Sequence, residues 1–259
     1  MLLAIDVGNT SITIGIFRRE KLVSQGRIPT KKMATANGGT RALRALLRQL
    51  RVGPDAIEGV IVSSVVPKAT ISLKQALARL VKPKPLILGE NIRASVINRY
   101  RIPSQVGQDR LVNAVAATFL YGGPAIVVDF GTAVTFDLIS KKKEYLGGLI
   151  VPGIGIALEA LTTRAALLPE INLVPPKGLH GRDTVASIKS GIFFGYGALC
   201  DGIVTALKKK YAPKATVIGT GGHIGLIAPY CRTIQHVVPT LTLQGLEIIA
   251  RTRELCIKK

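Results

Sequence analysis

The chain has 259 residues, 47% of them hydrophobic and 19% charged, which excludes a disordered protein and provides for one large domain or two of average size. Thirty-five basic residues against fifteen acidic ones leave a formal net charge of +20, a balance that attracts anionic ligands and raises the question of nucleic acid. No uninterrupted apolar run has membrane-spanning length, and the chain starts on a strand-like run without a basic leader, so no membrane association and a cytoplasmic location are expected.

In chain order, Leu2 to Ile5 is a short apolar run suited to a buried strand. Asp6-Val7-Gly8-Asn9-Thr10 interrupts it with turn chemistry, and Ile12, Ile14 and Ile16 then alternate with Thr13 and Gly15 as a second strand. The tip of this hairpin holds one carboxylate, a glycine expected at positive φ, and the small donors Asn9, Thr10, Ser11 and Thr13. Such a ring suits a phosphate, with Asp6 placed for a hydrated divalent cation bridging phosphate oxygens. An ordinary hairpin turn uses the same residue types.

Lys21 to Ile28 predicts a third strand, and Thr35 to Gly39 a polar, flexible stretch. Thr40 is the expected N-cap of a helix ending near Arg51, with Arg41, Arg44, Arg48 and Arg51 opposite Leu43, Leu46, Leu47 and Leu50. Without interleaved aromatics this basic face reads as solvated surface, and nucleic acid is not an expected partner. Ile57 to Val66 reads as a buried strand, Lys68 to Leu80 as a helix and Pro85 to Leu88 as a short strand. A long connection from Gly89 to Pro103 carries Tyr100. Gly107-Gln108-Asp109-Arg110 leads into a helix over Leu111 to Leu120. There Asp109 is either a first-turn cap or a general base, with Arg110 beside it for an anionic substrate.

The hairpin pattern then returns. Ala125 to Val128, Asp129-Phe130-Gly131-Thr132-Ala133 and Val134 to Ile139 repeat strand, Asp-x-Gly turn and strand, and Tyr145 to Val151 adds a third strand beyond Lys141-Lys142-Lys143. A helix from Pro152-Gly153 to about Ala166, a Pro- and Gly-rich loop from Leu167 to Asp183 and a long helix from Thr184 to Tyr211 follow. Thr184 is a candidate cap, and Gly191, Gly195, Gly197 and Gly202 are expected at close helix contacts. Thr216 to Ile218 is a strand before the turn Gly219-Thr220-Gly221-Gly222, and Leu241 to Arg253 a closing helix. The scattered Cys200, Cys231 and Cys256 read as reduced thiols, and His180, His223 and His236 take no metal or catalytic role.

Two Asp-x-Gly hairpins and a late strand–Thr-Gly-Gly–helix resemble the actin-like ATPase superfamily of sugar and acetate kinases. The resemblance implies an α/β, duplicated, ribonuclease H-like fold of two mixed-sheet halves with flanking helices, here 1–105 and 106–259. Asp6-Val7-Gly8-Asn9-Thr10, Ser63-Ser64-Val65-Val66-Pro67, Gly107-Gln108-Asp109-Arg110, Asp129-Phe130-Gly131-Thr132-Ala133, Tyr145-Leu146-Gly147-Gly148, Leu167-Leu168-Pro169 and Thr220-Gly221-Gly222 narrow it. In that order they resemble the type III pantothenate kinases, from Met1 to about Arg251.

That resemblance implies ATP-dependent phosphorylation of the primary hydroxyl of pantothenate, the first step of coenzyme A synthesis. It assigns the ATP phosphates to Asp6, Val7, Gly8, Asn9, Thr10, Ser11, Ile12 and Thr13, with Asp6 helping to hold Mg²⁺ and Thr132 contacting ATP. Asp109 is the implied base, and Tyr100, Gly107, Gln108, Asp109, Arg110 and Thr184 the implied pantothenate contacts. Asp129 is the implied ligand of a monovalent cation, K⁺ or NH₄⁺, and the implied assembly is a homodimer using the helix from Thr184. Gln108 stands where the family usually has a small or aliphatic residue and is expected to narrow the pocket, while Ala157 stands where many members have Ser. Rival readings are a kinase for another hydroxyl substrate and a regulatory homologue that binds nucleic acid.

Overall fold

The computed structural model describes residues 1–164, 169 and 171–257, with side chains as far as Arg253. The expected helix end at Ala166, Leu167-Leu168 of the Leu-Leu-Pro motif and the Cys256 side chain lie outside the described residues. In chain order the elements are β1 (Leu2–Val7), β2 (Ser11–Arg18), β3 (Lys21–Pro29), α1 (Ala36–Gln49), β4 (Gly59–Ser64), α2 (Pro67–Leu80), β5 (Leu86–Ile87), β6 (Ile97–Asn98) and α3 (Gln108–Tyr121). Then come β7 (Ala125–Phe130), β8 (Ala133–Ile139), β9 (Glu144–Pro152), α4 (Ile154–Arg164), α5 (Thr184–Lys210), β10 (Thr216–Thr220), α6 (Ile224–Ile227), β11 (His236–Val237) and α7 (Leu241–Ile257).

The first compact unit comprises Met1–Phe119 together with the chain from Leu241 onward. Its sheet runs β3-β2-β1-β4-β5, with the β1–β2–β3 meander antiparallel and β4 and β5 parallel to β1. Strand alternation sorts the residues by face. Leu3, Ile5, Val60 and Val62 join Leu43, Leu46 and Leu47 of α1 and Leu73 and Leu77 of α2 in one core. Ala4, Phe17 and Ile61 join Val112 and Val115 of α3 and Leu243, Leu246 and Ile249 of α7 in another. Small residues let this second layer close. A Cβ on Gly15 would sit 2.9 Å from a Leu243 methyl, and one on Gly245 would collide with the Val112 carbonyl.

The second unit, Leu120–Thr240, repeats the plan. Its strands run β11-β10-β7-β8-β9, with β7–β8–β9 antiparallel and β10 and β11 parallel to β7. Element for element this is the order and direction of the first sheet. Ile126, Val128, Phe130, Phe136 and Val217 pack with Phe193, Cys200 and Val204 of α5 and Ile224 and Ile227 of α6.

Several expectations are corrected. The units do not part at 105/106, because α3 and α7 both bury their apolar residues on the first sheet. Helix α1 starts at Ala36, not beyond Thr40: the Thr35 hydroxyl accepts from Gly38 N at 3.1 Å, and Thr40 instead donates to Ala36 O. The two glycines that suggested a loop sit inside the helix, where Gly39 leaves room for the Met33 sulfur. Gly219 and Thr220 belong to β10, so the turn begins at Gly221. Among the described residues, Gly197 alone of the four α5 glycines meets a neighbour, the Tyr230 backbone, while Gly191, Gly195 and Gly202 have none within 4 Å. By length and composition α5 is long and apolar enough to cross a bilayer; 39% of its apolar window is buried, with Phe193, Cys200 and Val204 fully so.

The close approach at Gly15 is testable. Gly15→Val forces Leu243 and Leu22 aside, and denaturant unfolding should show a loss of about 1–3 kcal/mol. Gly53→Ala, at a position with open space, should stay within about 0.5 kcal/mol of the parent.

Candidate active site

The first hairpin seats Asp6 at the end of β1, paired with Thr13 on β2 and Ser63 on β4. Paired residues point to one face, so Thr13, Asp6 and Ser63 form a polar row on the face that Gly15, Ala4 and Ile61 give to the α3/α7 layer. Gly8 N donates to Ser11 O at 3.1 Å to close the tip. Thr30 ties the tip from β3's end, its hydroxyl donating to Gly8 O at 2.7 Å and its N–H to Thr10 O at 3.0 Å. Contrary to expectation Gly8 is not in the left-handed region; glycine is favoured there by space, since a Cβ would lie 3.1 Å from Ser11 O. Asn9 and Thr10 are exposed at the tip.

The adjacent serines of β4 divide their work. The Ser64 hydroxyl accepts from Thr70 Oγ1 at 2.7 Å and from Val66 N at 3.1 Å, fixing the start of α2. Ser63 Oγ is fully buried and has no hydrogen-bond partner among the described residues.

Asp109 lies in the first turn of α3. Arg110 N donates to its Oδ1 at 2.8 Å, so the first-turn role is realised. Burial nevertheless pushes the carboxyl above its ordinary value of 3.8, against the opposing pull of the Arg110 N–H and guanidinium. A raised pKa makes the carboxylate a stronger proton acceptor than a solvated one. Gly107 leaves room for the Asp109 carboxylate, which a Cβ there would displace. The Gln108 side chain lies along Gly89, where φ is +82° and a Cβ would be 3.3 Å from Nε2. Tyr100 is half-buried in a turn in which its N–H donates to Asn98 Oδ1 at 2.9 Å and Asn98 Nδ2 to Pro103 O at 3.1 Å. Arg110 is buried.

In the second unit Asp129 pairs with Thr135 on β8 and Thr220 on β10. Gly131 N closes that hairpin onto Ala133 O at 3.1 Å. Gly221, at φ +96°, is packed against the Asp129 carboxylate and the Phe130 backbone, a place closed to any side chain. His223 N donates to Phe130 O at 3.0 Å, which holds the Gly-Gly turn against β7. The Thr132 carbonyl lies over Gly153. Thr184 is the exposed first residue of α5 and does not cap it; the Asp183 carboxylate does, accepting from Ala186 N at 2.8 Å. Asp6–Thr13, Tyr100 and Gly107–Arg110 belong to the first unit, and Asp129, Thr132 and Thr184 to the second.

Among the described residues no three His, Cys, Asp or Glu side chains cluster as a metal cage. Each row offers one carboxylate beside hydroxyl oxygens, a hard-donor set that fits Mg²⁺ shared with nucleotide phosphates, or an alkali cation.

Two repeats of this sheet plan, each with a hairpin carboxylate, define the actin-like ATPase and sugar kinase fold. Solved structures agree at the level of fold. A Campylobacter jejuni protein classed with the Baf family of transcriptional activators superposes with a TM-score of 0.62 at 18% identity, over 98% of this chain and 99% of that one. The activator of 2-hydroxyisocaproyl-CoA dehydratase from Clostridium difficile, solved with bound ADPNP, gives 0.55 at 14% identity, over 99% and 97%. A model of the type III pantothenate kinases matches residues 2–206. A type III pantothenate kinase of Moorella thermoacetica is 46% identical over 249 residues, covering 96% of this chain and 98% of that one. The chain belongs to the type III pantothenate kinase family.

The raised Asp109 carboxyl sets a pH dependence. The unfolded chain ionises first as pH rises past about 3.8, so the folded state then binds more protons and loses relative stability until its own carboxyl ionises. Asp109→Asn lacks this penalty. Its stability advantage over the parent, read from paired thermal melts, should be smallest at the acid end, grow as pH rises through that window and level off above it.

Proposed function

We propose that this chain transfers the γ-phosphoryl group of ATP to the primary hydroxyl of pantothenate, giving 4′-phosphopantothenate and ADP. The observation that carries the reading is Asp109: a carboxyl raised by burial, on the first turn of α3, with Arg110 next to it. The Asp109 carboxylate accepts the hydroxyl proton as that oxygen attacks phosphorus, and Gly107, Gln108, Arg110, Tyr100 and Thr184 orient pantothenate, Arg110 serving its carboxylate. The tip from Asp6 to Thr13 holds the phosphates, and Thr132 contacts ATP. Asp6 would hold Mg²⁺ and Asp129 a monovalent cation, K⁺ or NH₄⁺, which together supply charge neutralisation for phosphoryl transfer. With Gln108 laid along Gly89, its backbone is the part offered to substrate. The protein acts as a cytoplasmic homodimer, with the open-glycine side of α5 as the interface, and nucleic acid is not a partner. The net charge of +20 favours encounter with two anionic substrates.

The test is ATP-dependent pantothenate phosphorylation with Mg²⁺ and K⁺. Asp109→Asn should lower kcat by about 10²–10⁴ while ATP binding persists. No turnover by folded, ATP-binding parent protein would reject the reading, and full activity in Asp109→Asn would return that residue to its structural role.

A further inference from the structure

The duplication brings two side chains of no assigned role into equivalent places. In the first unit the row across the sheet reads Thr13–Asp6–Ser63; in the second it reads Thr135–Asp129–Thr220. Each carboxylate has a threonine on its antiparallel neighbour and a hydroxyl on its parallel neighbour. The third member is buried in both rows, Ser63 at 0% exposure and Thr220 at 1%. Neither Ser63 Oγ nor Thr220 Oγ1 has a hydrogen-bond partner among the described residues.

A buried hydroxyl left unsatisfied lowers stability, and folded proteins hold few of them. Here two such hydroxyls stand at matching positions beside two matching carboxylates. Ser64, one residue on, has hydrogen bonds to Thr70 and Val66, so the local backbone offers partners to a serine when the role is structural. Alanine at 63 would fit a strand whose other buried members are Val60, Ile61 and Val62 and would remove the cost.

We propose that Ser63 and Thr220 are positioning residues, whose hydroxyls hydrogen-bond to water on the cations at Asp6 and Asp129 and fix where each cation sits on its carboxylate. Ser63 thereby sets the Mg²⁺ dependence of nucleotide binding, and Thr220 the response to the monovalent cation. The inference rests on the proposed cation roles of Asp6 and Asp129. Outer-shell partners of this kind tune metal affinity without touching the reacting atoms.

The experiment is calorimetric binding of ADPNP to the full chain, with and without Mg²⁺ and across a K⁺ series, beside thermal melts of the ligand-free protein. Ser63→Ala should raise the Mg²⁺ needed for tight binding about tenfold and leave Mg²⁺-free binding unchanged. Thr220→Val should raise the K⁺ needed for half-maximal tightening by about the same factor, and Thr220→Ser should restore it. Because an unsatisfied hydroxyl is removed, ligand-free Ser63→Ala should melt about 2–4 °C higher, the trade expected of a functional residue. An unchanged Mg²⁺ requirement in Ser63→Ala overturns the proposal. So does a Thr220→Ser protein as impaired as Thr220→Val, or a lower melting temperature for Ser63→Ala. Parent protein that binds ADPNP with Mg²⁺ but leaves pantothenate unphosphorylated would reject the proposed reaction while leaving this test decisive.

Discussion

Each unit depends on one constraint: a carboxylate must stand at the end of a strand whose other residues are committed to apolar cores. Strand alternation meets it. In β1, Leu3, Ile5 and Val7 serve one core, while Ala4 and Asp6 share the other face, where an apolar contact gives way to a polar end within two residues. The flanking strands keep the same register, so Thr13 and Ser63 arrive beside Asp6, and Thr135 and Thr220 beside Asp129. Moving either strand by one residue would send the carboxylate into the apolar core and its neighbours with it. Register, set by the cores, therefore also places the oxygen donors.

Glycine supplies the remaining clearance. At Gly107 and Gly221 a side chain would overlap the carboxylates of Asp109 and Asp129, so these turns keep room around the acidic groups. Burial then raises Asp109 although it lies at a helix start, where the backbone favours the anion. Desolvation outweighs the local N–H and the neighbouring guanidinium. Phosphoryl transfer asks mainly for positioning and charge neutralisation, and the sheets hold the short polar segments in fixed register.

Much of this was legible in the sequence because it is written in short-range patterns. Ile12, Ile14 and Ile16 alternate, Asp-x-Gly recurs, and the long helix from Thr184 follows turn chemistry. What was not legible depends on tertiary contact. Gly38 and Gly39 read as loop because their places in α1, Gly38 against the Lys32 carbonyl and Gly39 against the Met33 sulfur, are packing facts. The division of the chain was misplaced because α7 returns to the first sheet from the far end of the sequence. Asp183, not Thr184, caps α5, a choice between adjacent good caps that composition does not decide. Ser63 and Thr220 stand inside the Ser-Ser-Val-Val-Pro and Thr-Gly-Gly motifs, but only strand register shows that they are counterparts, and only the folded surroundings show that their hydroxyls lack a partner among the described residues.

The two hairpins repeat one strand–carboxylate–strand plan, and the proposed function divides them between Mg²⁺ with ATP at Asp6 and a monovalent ion at Asp129. The direct measurement is ADPNP binding to Asp6→Asn and Asp129→Asn across separate Mg²⁺ and K⁺ series. The account predicts that Asp6→Asn loses the Mg²⁺ response and keeps the K⁺ response, while Asp129→Asn does the reverse. Equal loss of both responses in both variants would contradict it.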